Sequence, residues 1–99
     1  MAQKNQNDIR TILQRRKDKL FSDYHILRLG IFGSIVRGEA KKRSDVDILV
    51  EFVELPDLLK LIELERKLSR IIGKKVDLVE KNSIRPELKK QILGEVVYL

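Results

Sequence analysis

No cysteine occurs in the chain, so neither a disulfide frame nor a thiolate zinc site is available, a composition that suits a reducing cytoplasm. Histidine is nearly absent too. His25 has no second imidazole with which to share a metal, and its place ahead of an apolar stretch suits a structural or surface role. Aromatic residues make up 5% of the sequence, and Tyr24 and Tyr98 are too scattered to form a base-stacking platform, which argues against nucleic acid as a partner. No apolar run approaches the ~20 residues of a membrane span, and the polar start MAQKNQND is not followed by the apolar core of an export signal. A soluble, cytoplasmic protein with no membrane partner is expected.

Charge is what the chain has in quantity: 36% of its 99 residues are ionic and the formal net charge is +6. The excess is N-terminal, with eleven basic against six acidic side chains in residues 1–50 and ten against nine in residues 51–99. It gathers at Arg15-Arg16-Lys17 with Lys19, and at Lys41-Lys42-Arg43. Such clusters draw nucleotide phosphates, nucleic acid or an acidic protein, or are simply a solvated face. With 42% hydrophobic residues the chain builds one modest core, so residues 1–99 are expected to form a single domain.

Ile9, Ile12, Leu13 and Leu20 lie on one helical stripe, predicting an amphipathic helix from about Asn7 to Leu20, capped by Asn7 or Asp8. Ile26 to Phe32 reads as a buried strand ending at Gly33, although Gly30 within it weakens the pattern. A second strand covers Val46 to Phe52. Pro56 and Asp57 open a helix that reaches Ile72 and closes at Gly73. Lys75 to Val79 reads as a third, short strand, and Pro86 starts a last helix that ends near Leu93, before Gly94 and the apolar tail Val96 to Leu99. The alternation of helices and strands predicts an α/β layer structure.

The chemistry concentrates between Gly33 and Asp47. Residues two apart on a strand share a face, so Asp45 and Asp47 present their carboxylates together while Val46 points into the core. Like charges held so close repel unless a cation lies between them, and an all-oxygen set selects a hard ion such as Mg²⁺. Asp77, flanked by apolar residues that suggest burial, joins them if its strand is their neighbour; it then completes a second metal site or accepts a proton. Gly33 and Ser34 end the first strand in a turn whose amides and hydroxyl favour a phosphate. Arg37, one turn on, reaches that phosphate or pairs with Asp45 or Glu39.

This combination resembles the minimal nucleotidyltransferases (MNT) of the DNA polymerase beta superfamily, whose signature is Gly-Ser, ten residues, Asp-x-Asp. The likeness continues through Ser44 to Phe52, the Leu-rich helix after Pro56, and Lys75 to Val79 leading to Pro86. It implies a polymerase-beta-like nucleotidyltransferase fold of α/β (α+β) class, a small mixed sheet with helices packed against it. It further implies Gly33 and Ser34 as phosphate-binding, Asp45 and Asp47 as metal-binding, and Asp77 as the third carboxylate. Val36 stands where alanine is common in the family and Glu39 where aspartate is, neither being a metal ligand in its pattern. Proteins of this size in the family are typically antitoxins encoded with a HEPN-domain toxin. The resemblance therefore implies Mg²⁺-dependent transfer of AMP from ATP to a tyrosine of such a toxin, as a type VII-like antitoxin. A binding module that neutralises its partner without catalysis, and a basic nucleic-acid binder, are the competing classes.

Between Leu55 and Ile72 the apolar residues spread over roughly 240° of the helix, since Leu64 and Ile71 fall off the stripe of Leu58, Leu61, Ile62, Leu68 and Ile72. Either helices and sheet wrap this helix from two sides, or Leu64 and Ile71 lie at a homodimer or toxin interface. The tail Val96 to Leu99 poses the same alternative, with a docked edge strand as the simpler outcome.

Overall fold

The computed structural model describes residues 5–41 and 43–99; the start of the chain, and Lys42 of the second basic cluster, lie outside the described residues. Asn5 opens the first helix, α1 (Gln6–Gln14), through a capping box in which its side chain accepts from the Asp8 amide and the Asp8 carboxylate accepts from its own. The cap thus lies two residues before Asn7, the nearer of the two expected positions, and both Asn7 and Asp8 fall inside the helix. The single helix expected over residues 7–20 is two. After α1 the chain turns at Arg15 and Arg16 and resumes as α2 (Lys17–Tyr24). Six consecutive polar residues, Gln14 to Lys19, offer nothing to bury along a continuous axis, whereas the bend lets Ile9 and Leu13 of one helix and Leu20 and Tyr24 of the next all enter the core.

His25 closes α2 in the left-handed region at φ 54°, exposed at the surface, and β1 (Ile26–Phe32) follows at once. Next come the short helix α3 (Ser34–Arg37) and β2 (Val46–Phe52). α4 (Leu58–Ile72) is capped by Asp57 and ended by Gly73 at φ 78°. β3 (Val76–Glu80) and a 3₁₀ turn at Lys81–Ser83 lead to α5 (Pro86–Glu95) and β4 (Val97–Tyr98). α5 runs through Gly94 rather than stopping before it.

Among the described residues the four strands make one mixed sheet in the order β3-β2-β1-β4. β2 runs antiparallel to β1 and parallel to β3, and the tail docks as an antiparallel edge on β1, with Gly30 opposite Tyr98 and Leu99 N–H donating to Leu29. Gly30 belongs in the strand because a Cβ there would lie 2.6 Å from Val96 Cγ2 and 3.0 Å from Tyr98 Cδ1. At the other edge, α4 takes up β3 amides that no strand reaches. Ser69 Oγ accepts from Val76 N–H at 3.0 Å and Glu65 Oε2 from Leu78 N–H at 2.9 Å. Asp77 therefore sits between two anchored residues.

One sheet face carries Leu29, Ile31, Val46, Ile48, Val50, Val76 and Leu78, packed under Ile9, Leu13, Leu20, Leu64, Leu68 and Ile72 of the helices. Leu64 is fully buried and Ile71 partly buried against the core, so these two residues do not form an outward interface. The α4 leucines left outside are Leu58 and Leu59, 68% and 78% exposed. We expect Leu64→Ala to cost about 2–5 kcal/mol and Leu59→Ala less than about 0.5 kcal/mol in denaturant unfolding. Equal costs would contradict this packing.

Candidate active site

The opposite face of the sheet holds the functional side chains. Parallel pairing sets Asp47 in register with Asp77, and antiparallel pairing sets Phe32 on the other side of Asp47, so the three cross the sheet in one row. Gly33 directly follows Phe32 and is the residue before α3. Its backbone, φ 81° and ψ −154°, lies in a region open essentially to glycine alone, and a Cβ there would overlap Asp47 Oδ2. Glycine is thus required twice at this position, once by the turn and once by the carboxylate beside it.

Asp47 is half-buried, and its carboxyl is pushed up from 3.8 to about 6, first by burial and then by the charges of Asp77 and Asp45. Asp45 precedes β2 and is exposed, with its carboxylate 3.9 Å from Lys75 Nζ. Asp77 is exposed as well, against the expectation of burial: its apolar neighbours Val76 and Leu78 point to the core, and strand alternation turns Asp77 to the open face. Arg37, on the surface at the end of α3, donates from Nε to Glu39 Oε2 at 2.9 Å and from Nη1 to Glu95 Oε1 at 3.0 Å. One of the two pairings expected for it is therefore made, with Glu39. Ser34 begins α3 half-buried, and as first-turn amides Ser34 and Ile35 have no intrahelical acceptor.

Between this row and α5 lies a cleft of ≈380 Å³, lined on the sheet side by Gly33, Arg37, Asp47 and Asp77 and on the helix side by Arg85, Leu88, Ile92 and Glu95. Ser34 and Asp45 are not part of that lining. The α5 wall escaped sequence reasoning, and with it Glu95, whose Oε1 accepts from Gly33 N–H at 2.9 Å. The available signal was an isolated acid between a helix end and an apolar tail, where the helix dipole disfavours a negative charge. The basic residues Arg15, Arg16, Lys19 and Lys67 line a different groove, between α1–α2 and α4, that shares no residue with the cleft.

Among the described residues no three His, Cys, Asp or Glu side chains group closely enough to enclose a metal by themselves. A hard divalent cation does not need such a cage: Mg²⁺ takes one or two carboxylates and completes its shell with water and substrate phosphate. The all-oxygen set Asp45, Asp47 and Asp77, whose mutual repulsion adds to burial in raising the Asp47 pKa, fits an ion of that kind.

The family described as nucleotidyltransferase domain matches residues 8–99. Over 99 residues, all of both chains, the sequence is 48% identical to a protein of Thermococcus cleftensis named protein adenylyltransferase MntA. A solved minimal nucleotidyltransferase is similar at a TM-score of 0.75 and 35% identity, over 92% of this chain and 95% of that one. A toxin–antitoxin crystal structure with AMP-PNP is similar at a TM-score of 0.71 and 28% identity, over 86% and 70% of the two chains.

Because the native Asp47 pKa lies above its unfolded value, the native state holds this proton more tightly. The stability linked to it is complete below pH 4 and is lost as pH rises through about 6. Asp47→Asn, a neutral mimic, should therefore raise stability at pH 8 by about 1–2 kcal/mol after allowance for solvent screening, and the gain should vanish near pH 4. Thermal unfolding at the two pH values measures this, and a variant less stable than wild type at pH 8 would refute it.

Proposed function

The chain belongs to the nucleotidyltransferase-domain family, as a minimal nucleotidyltransferase, and from that premise we propose that it transfers AMP from ATP to a tyrosine hydroxyl of a HEPN-type toxin, which it thereby silences. Residues 1–99 act as one domain in this reading. The observation that carries it is the in-register pairing of Asp47 with Asp77 beside Gly33, an acidic pair adjoining an amide-rich turn. The kinship supports the acceptor: the Thermococcus cleftensis relative is named a protein adenylyltransferase, and a similar solved structure is a toxin–antitoxin pair with an ATP analogue.

Gly33 N–H, the first-turn amides of α3 and the Ser34 hydroxyl bind phosphate oxygens, and Arg37 adds forked donors. One or two Mg²⁺ ions held by Asp45 and Asp47, with Asp77 as third carboxylate, would neutralise the charge of the triphosphate and of the departing pyrophosphate. The acceptor oxygen attacks the α-phosphorus, the bond to the oxygen bridging to the β-phosphate breaks, and pyrophosphate leaves with that electron pair. Asp77, exposed on the strand beside Asp47, takes the hydroxyl proton. Acceptor selection falls to the partner in this reading, since the donors and carboxylates of the cleft between the sheet and α5 are assigned to the nucleotide.

Incubation with labelled ATP, Mg²⁺ and the protein encoded beside this one tests the proposal. Wild type should label the partner, and Asp45→Ala combined with Asp47→Ala should lower the rate at least about 100-fold. Absence of label from wild type, under conditions in which a known relative labels its toxin, would refute it. Protection of cells by the double variant would instead favour neutralisation by complex formation.

A further inference from the structure

Glu95 occupies the donors that the proposed function gives to the nucleotide. Its Oε1 accepts from Gly33 N–H at 2.9 Å and from Arg37 Nη1 at 3.0 Å, and its Oε2 accepts from the same Nη1 at 3.2 Å. A carboxylate bridging a turn amide and a guanidinium mimics two oxygens of a phosphate. Two features of its surroundings oppose its charge. It is the last residue of α5, where the helix dipole is negative, and its charge is among those that push the Asp47 pKa up. Only 16% of its side chain is exposed, so water screens these repulsions weakly. The helix that carries it contains no fully buried residue, whereas the tail beyond is fixed to β1 through Tyr98 and Leu99.

We infer that Glu95 is an internal competitor for the phosphate-binding donors. In the nucleotide-free protein it holds Gly33 N–H and Arg37, and binding of the triphosphate exchanges carboxylate for phosphate there. The exchange swings the Glu95 side chain out and loosens the last turn of α5 without undocking β4. Glu95 thereby sets how much polyphosphate is needed to open the cleft, and it tethers α5 to the sheet while no nucleotide is bound. The inference rests on the reading of Gly33 and Arg37 as phosphate donors, and its test separates the two.

Binding of a non-hydrolysable ATP analogue and of inorganic pyrophosphate is measured by calorimetry for wild type, Glu95→Ala and Glu95→Gln. Both variants should bind both ligands tighter, Glu95→Ala by about tenfold and Glu95→Gln by less, because its neutral amide still accepts one hydrogen bond. In the free Glu95→Ala protein, hydrogen exchange at the Gly33 amide should be faster than in wild type and should slow again on addition of pyrophosphate. Unchanged or weaker binding by Glu95→Gln, while wild type binds, overturns the competitor and leaves the nucleotide site standing. This arm holds even if Glu95→Ala folds poorly. Failure of all three proteins to bind either ligand overturns both readings.

Discussion

Parallel pairing of β2 with β3 is the constraint on which the rest depends, because it fixes two acids side by side where neither can move away. A hydrogen-bonded ladder sets the spacing of Asp47 and Asp77, and side chains of α4 hold the outer edge of β3 through the amides on either side of Asp77. The repulsion is thus built into backbone geometry, and rotation of one side chain cannot relieve it fully. Burial first, and this repulsion second, raise the pKa of Asp47. In the proposed function such a pair is poised for a cation, whose arrival would convert the repulsion into affinity.

The two faces of the sheet share this burden unequally. One face is a dry contact of aliphatic side chains from three helices, and it supplies the stability. The other bears Asp47 and Asp77 and is covered only by a helix with no fully buried residue. Strand alternation makes the division possible: Val46, Ile48, Val76 and Leu78 anchor the row whose other side is acidic. Under the proposed function, substrate would enter against this lightly held wall while the core remains closed.

Features that depend on local pattern were legible in the sequence. The bounds of β1 and β2 follow from apolar runs cut off by Gly33 and by polar residues, and Asp57 and Gly73 frame α4 as capping chemistry predicts. The Gly-Ser and Asp-x-Asp spacing marked the sheet end at which the cleft lies. Features that depend on what lies across the fold were not legible. The stripe through Ile9, Leu13 and Leu20 has the same period whether its helix is straight or bent, so the turn at Arg15 and Arg16 left no trace in it. Leu64 reads as an outlier until Leu61, Leu68, Ile71 and Ile72 are seen to form the inward arc with it, leaving Leu58 and Leu59 outside. Asp77 read as buried because its neighbours are apolar, but alternation sends those neighbours to the core and Asp77 to the cleft.

Glu95 lies 62 residues from Gly33 in the chain, and their contact arises from the docking of the tail, which periodicity cannot report. Gly30 makes that docking possible by leaving room for Val96 and Tyr98, so a glycine that weakens the strand pattern in sequence is what allows the tail to close the sheet. The same closure brings the end of α5 to the turn after β1 and sets a carboxylate against donors suited to phosphate. Two acids on neighbouring strands and a third from the end of α5 thus converge on one cleft, in which Arg37 is already engaged by that third acid and by Glu39 while Arg85 lines the helix side. With Asp47, Asp77 and Glu95 set against Arg37 and Arg85, the cleft carries a slight excess of negative charge, which under the proposed function a nucleotide brought in with its own divalent cations would offset. Under that proposal the cleft would favour metal-bound over free polyanions, even though the chain as a whole is basic.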